Sequence, residues 1–90
     1  MKAESIIKAH GGTLIDVRTP AEFNGGHILG SVNIPLQELP MKLDEIRQMK
    51  KPVVLCCASG SRSGQAMHWL MRRGIECLDG GSWMHLHKIL

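Results

Sequence analysis

The run Val53-Val54-Leu55-Cys56-Cys57-Ala58-Ser59-Gly60-Ser61-Arg62-Ser63-Gly64 decides how this chain is read. An apolar stretch of strand composition ends in a cysteine. A short polar loop containing a glycine follows, and a helical pattern begins after Arg62. Successive amides in such a loop, backed by the positive end of a helix, form a nest for negative charge. A cysteine at its mouth is expected to ionise more readily than a free thiol and to act as a nucleophile near neutral pH. The loop holds no strong base, so its backbone and Arg62 are the groups expected to favour the thiolate.

The segments on either side alternate between strand and helix signals. Residues 2–9 read as a short helix stopped by His10-Gly11-Gly12, and Thr13–Val17 as a buried strand. Thr19-Pro20-Ala21-Glu22 is a helix start: Thr19 can cap, proline suits the first helical position, and Glu22 completes a capping box. Gly25-Gly26 ends that helix after little more than a turn. Ser31–Ile34 reads as a second strand closed by Pro35, and Leu39, Leu43 and Ile46 recur at helical spacing up to Lys50-Lys51-Pro52. Pro52–Cys56 is a strand, Ser63–Arg73 a helix with Ala66, Trp69 and Leu70 on one stripe, and Ile75–Leu78 a last short strand. Gly80-Gly81 leads into a final helical stretch, Ser82–Leu90. This order predicts an α/β fold with a mainly parallel sheet. Ligands of such sheets sit at the carboxyl ends of the strands, where Cys57 stands.

Ninety residues of 9.9 kDa fit a single domain over 1–90. The net charge of +3 is too mild, and its lysine and arginine pairs too scattered, to argue for nucleic acid. Three cysteines, two of them adjacent, make no disulfide framework. Charge near the N-terminus argues against a signal peptide, and no apolar run reaches membrane-spanning length. A reduced, cytoplasmic setting is the expectation. Scattered histidines and adjacent cysteines lack metal-ligand spacing, so no metal and no cofactor are expected.

Taken together, three segments resemble a rhodanese domain. They are Leu14-Ile15-Asp16-Val17-Arg18-Thr19-Pro20-Ala21-Glu22-Phe23 with Gly26-His27-Ile28 and Gly30-Ser31-Val32-Asn33-Ile34-Pro35; Cys57-Ala58-Ser59-Gly60-Ser61-Arg62-Ser63; and Leu78-Asp79-Gly80-Gly81 with Trp83. The resemblance implies an open sheet flanked by helices on both faces, and a sulfurtransferase. Cys57 would take sulfur from a small anionic donor such as thiosulfate, hold it as a persulfide, and pass it to a thiol or cyanide. The amides of Ala58, Ser59, Gly60, Ser61, Arg62 and Ser63 would surround the sulfur, each good donor contributing roughly 3 kcal/mol. Arg62 would close the loop by pairing with a carboxylate or by facing the donor. Ala58, Ser59 and Ser61 stand where efficient thiosulfate users in the family often carry basic residues.

Two registers compete for the nucleophile. Cys57 to Arg62 encloses four residues, the sulfurtransferase spacing, whereas Cys56 to Arg62 encloses five, the spacing of cysteine-dependent phosphatases. A phosphatase or arsenate reductase of the same fold is therefore an alternative, as is a non-catalytic rhodanese binding module. Leu55, where those phosphatases usually carry histidine, and the strand pattern running through Cys56 favour Cys57. Cys56 and Cys77 read as small buried hydrophobes. Asp16 is expected to accept loop amides, Arg18 to pair with an acidic neighbour such as Glu22, and His27 to be structural. Met67 and Met71 are helix packing, and Trp69 and Trp83 belong to the core or the pocket rim.

Overall fold

Among the described residues four strands form one sheet in the order β2-β1-β3-β4: β1 (Thr13–Asp16), β2 (Val32–Asn33), β3 (Val53–Cys57) and β4 (Cys77–Ser82). Every pairing among them is parallel. This is a computed structural model that describes residues 11–90, so the helix expected over residues 2–9 lies outside the described residues. The connections carry α1 (Pro20–Asn24), a 3-10 segment (Leu36–Lys42) running into α2 (Leu43–Gln48), α3 (Ser61–Met71) and α4 (Trp83–Ile89). Among the described residues no helix is long and apolar enough to cross a membrane.

β3 is buried along its whole length because helices cover both faces of the sheet. Its side chains alternate between two apolar layers. Val53, Leu55 and Cys57 join Ile15, Ile46, Ala66 and Leu70 beneath α2 and α3. Val54 and Cys56 join Leu14, Ile28 and Leu86 on the α4 side. Two adjacent cysteines therefore sit in different layers, on opposite sides of one strand.

Three local readings are corrected. α3 starts at Ser61, two residues before the apolar stripe suggests, because the loop glycine already ends the turn. The helical spacing of Leu39, Leu43 and Ile46 begins as a 3-10 segment containing Pro40, which lacks the amide donor of a regular α-helix. The last strand runs from Cys77 to Ser82 rather than over 75–78, so Gly80-Gly81 lies inside it. There the β3–β4 register slips: Leu55 pairs with Asp79, but Cys56 pairs with Gly81.

Gly80 is the residue left over by that slip. A Cβ at this position would lie 2.7 Å from Leu86 Cδ1, 2.9 Å from Val54 Cγ1 and 3.0 Å from the Leu55 carbonyl. The bulge thus needs a residue without a side chain, pressed between strand and α4. Gly80→Ala is expected to destabilise the protein by about 1–3 kcal/mol, the usual range for overpacking, read as a lower urea midpoint at unchanged slope.

Candidate active site

The loop after β3 folds as it does because α3 lacks an ordinary cap. Gly60 occupies the N-cap position at φ 102°, a left-handed conformation that favours glycine, and it has no side chain to offer the first helical amides. The sulfur of Cys57 takes that place. Cys57 Sγ accepts the Gly60 amide at 2.9 Å and the Ser63 amide, in the first turn of α3, at 3.3 Å. No acidic side chain competes in that first turn.

Cys57 is 0% exposed, so the sulfur lies on the floor of the nest and not at its mouth as expected from sequence. Burial by itself raises its pKa. The Ser63 hydroxyl and the amides of Ser63, Gly60 and Ser59 outweigh that burial and hold the thiol below its usual value. Ala58, Ser59 and Ser61 form the exposed lip of the loop, and the hydrogen bonds to sulfur come from within it.

Cys56 has the opposite environment. It is fully buried in the apolar layer of Leu14, Val54 and Leu86, and burial, reinforced by the charge of Asp16, pushes its thiol up to about 12. Burial also raises Cys77, whose Sγ lies 3.7 Å from the Met67 carbonyl. All three cysteines are free.

Arg62 turns to α1 and forms a two-point pair with Glu22, at 2.6 Å and 3.0 Å. Glu22 also accepts the Thr19 amide at 3.0 Å, completing the capping box. These bonds, Arg62 first, hold the Glu22 carboxyl near a pKa of about 2. With Glu22 taken, Arg18 pairs with Asp16 instead of its expected partner. The guanidinium holds the fully buried Asp16 carboxylate at 2.8–3.1 Å, donates to the Gly26 carbonyl at 2.7 Å, and stacks 4.6 Å from the Trp83 ring centroid. Asp16 accepts the Arg18 amide as expected, at 3.0 Å, from the protein interior. His27 stacks on Phe23 at 3.7 Å and bonds its carbonyl. His68, His85 and His87 are exposed, and among the described residues no set of His, Cys, Asp and Glu side chains could hold a metal.

One member of the site carried no assigned role at the level of sequence. Asp79 Oδ1 accepts the Ser63 hydroxyl at 2.6 Å and the Gly81 amide at 2.9 Å. Nothing in the Leu78-Asp79-Gly80-Gly81 spacing ties it to Ser63. The link arises from the parallel pairing of β3 with β4 and the slip at Gly80.

Comparison with known proteins agrees with this fold. A family profile for the rhodanese-like domain matches residues 2–83. The chain is 54% identical over 71 residues to the uncharacterized protein YqhL of Bacillus subtilis, covering 76% of this chain and 56% of that protein. It is 41% identical over 61 residues to a sulfurtransferase of Allochromatium vinosum, covering 68% of this chain and 56% of that one. The chain thus spans little more than half the length of these relatives. A rhodanese-related protein from Thermoplasma volcanium superposes with a TM-score of 0.76 at 34% identity, over 94% of this chain and 82% of its own.

The lowered pKa of Glu22 makes its contribution to stability pH-dependent. The contribution is complete above the ordinary carboxyl value of 4.5 and is lost as the pH falls through about 2. Between those limits the stability advantage of the wild type over Glu22→Gln is expected to shrink, measured as converging urea midpoints. High salt should narrow the same gap at neutral pH.

Proposed function

The chain belongs to the rhodanese-like domain family, and from that premise we propose that it is a sulfurtransferase working through a persulfide on Cys57. The observation carrying this reading is the Cys57 sulfur held by the Gly60 and Ser63 amides at the N-terminus of α3. In the first half-reaction the Cys57 thiolate attacks the outer, sulfane sulfur of a donor. A new S–S bond forms to Cys57, the donor's own bond to that sulfur breaks, and the donor remnant leaves with the electron pair. In the second, a thiolate or cyanide attacks the outer sulfur and Cys57 leaves as thiolate. This is covalent catalysis in two steps, in which loop amides hold the charge on sulfur each time it appears.

Arg62 acts in this reading as a brace, since its guanidinium is committed to Glu22. The lip residues Ala58, Ser59 and Ser61 are uncharged, so an anionic donor such as thiosulfate would be held chiefly by backbone amides. Acceptors are small thiols or protein thiols. Three free cysteines suit a reducing compartment such as the cytoplasm. The phosphatase alternative requires Cys56 as nucleophile, and its burial in the α4-side layer speaks against it.

Incubation with thiosulfate is expected to add one sulfur atom to Cys57, seen by intact-mass analysis and reversed by cyanide with release of thiocyanate. Cys57→Ser should abolish both, while Cys56→Ser should retain most of the turnover. Loss of activity in Cys56→Ser with retention in Cys57→Ser, or turnover of an aryl phosphate without sulfur uptake, would overturn the assignment.

A further inference from the structure

Ser63 has one hydroxyl proton and three neighbours able to accept it, the Cys57 sulfur among them once it is a thiolate; as a thiol the sulfur donates to Ser63 Oγ instead. Asp79 Oδ1 lies at 2.6 Å, the Gly60 carbonyl at 3.1 Å and Cys57 Sγ at 3.4 Å. The shortest contact is also the one to a carboxylate, and charge-assisted O–H···O⁻ bonds are about twice as strong as neutral ones. The Gly81 amide fixes that same Oδ1 at 2.9 Å, so the acceptor is held in place. Ser63 is itself fully buried, which keeps water from supplying a substitute proton.

We propose that Asp79 is a positioning residue that sets the nucleophilicity of Cys57 by drawing the Ser63 hydroxyl proton away from the sulfur. With the proton on the Asp79 side, a lone pair of Ser63 Oγ faces Sγ, the hydroxyl's share in lowering the Cys57 pKa is withheld, and the sulfur keeps the backbone amides of Ser63, Gly60 and Ser59. With the hydroxyl turned to Sγ, the thiolate gains a further donor. The two settings suit the two half-reactions. A less stabilised thiolate attacks faster, and a more stabilised one leaves more easily. The inference deepens the persulfide reading and rests on it.

The other charges around Cys57 are already paired. Asp16 of β1 is held by Arg18, and Glu22 of α1 by Arg62 of α3. Cys56, the neighbour on β3, is held protonated by its burial. Among the described residues Asp79 of β4 bonds no cation; its partners there are the Ser63 hydroxyl and the Gly81 amide.

The test is the pH dependence of Cys57 alkylation by iodoacetamide, a neutral probe, in the wild type, Asp79→Asn, Ser63→Ala and the double variant. Asparagine keeps an oxygen for both the Ser63 hydroxyl and the Gly81 amide, and it removes the charge. In Asp79→Asn the alkylation midpoint is expected to fall by roughly one pH unit. Its limiting rate at high pH should fall about threefold, as a weaker base attacks more slowly. In the Ser63→Ala background the same substitution should move neither quantity. An unmoved midpoint in Asp79→Asn overturns the proposal, and so does an equal fall with and without Ser63, which would mark a through-space charge effect. Thermal unfolding checks each variant, and Asp79→Ser runs the same comparison should Asp79→Asn not fold. A wild-type Cys57 that titrates as an ordinary thiol defeats the persulfide reading itself. A lowered wild-type midpoint that ignores residue 79 defeats this inference alone.

Discussion

The sulfur of Cys57 is the N-terminal cap of α3, and most of the site follows from that bond. A helix start needs an acceptor for its first amides, and serine, threonine or aspartate side chains usually supply one. Here the N-cap is a left-handed glycine without a side chain, and the acceptor arrives from the end of β3. The helix is therefore completed by the same atom that carries the proposed chemistry. Ionisation strengthens the cap, because the amides and the helix dipole both favour a negative sulfur.

Around this bond the chain arranges two braces of different kinds. Glu22 with Arg62 ties α1 to the first turn of α3 at the partly exposed rim. Asp16 with Arg18 and Trp83 ties β1 to the segment at Gly26 and to α4 in the interior. A buried carboxylate of this sort is tolerable only with its charge matched and its oxygens bonded, and Asp16 meets both conditions through one guanidinium and one amide. The loop is thus held from outside by ion pairs and from inside by amides on sulfur.

The strand–loop–helix unit was legible because its signals are local. Apolar residues stop at Cys57, a glycine allows the left-handed turn, and the capping box at Thr19 and Glu22 is a four-residue pattern. That Cys56 and Cys57 face opposite layers was also legible, since strand alternation alone sends neighbours to opposite faces. Pairings between distant segments were not. Whether Glu22 takes Arg18 or Arg62 depends on how α1 lies against α3, since Glu22 and Arg62 are 40 positions apart in the chain. Asp79 reaches Ser63 only after β4 has found its register on β3 and slipped at Gly80. Gly80-Gly81 reads as a break in a linear sequence; pairing with β3 makes it part of a strand, and the approach of Leu86 and Val54 accounts for the glycine at 80.

Strand alternation has a further consequence for oxidative chemistry. Cys56 is sealed in the other layer, and Cys77 pairs with Val53 at the far end of β3, roughly 13 Å along the strand at the usual rise per residue. With three cysteines in the chain, neither of the others is placed to resolve a sulfenic acid or a mixed disulfide at residue 57. Under the persulfide reading, a sulfur acquired at Cys57 is therefore discharged by another molecule and not by a second cysteine of this chain.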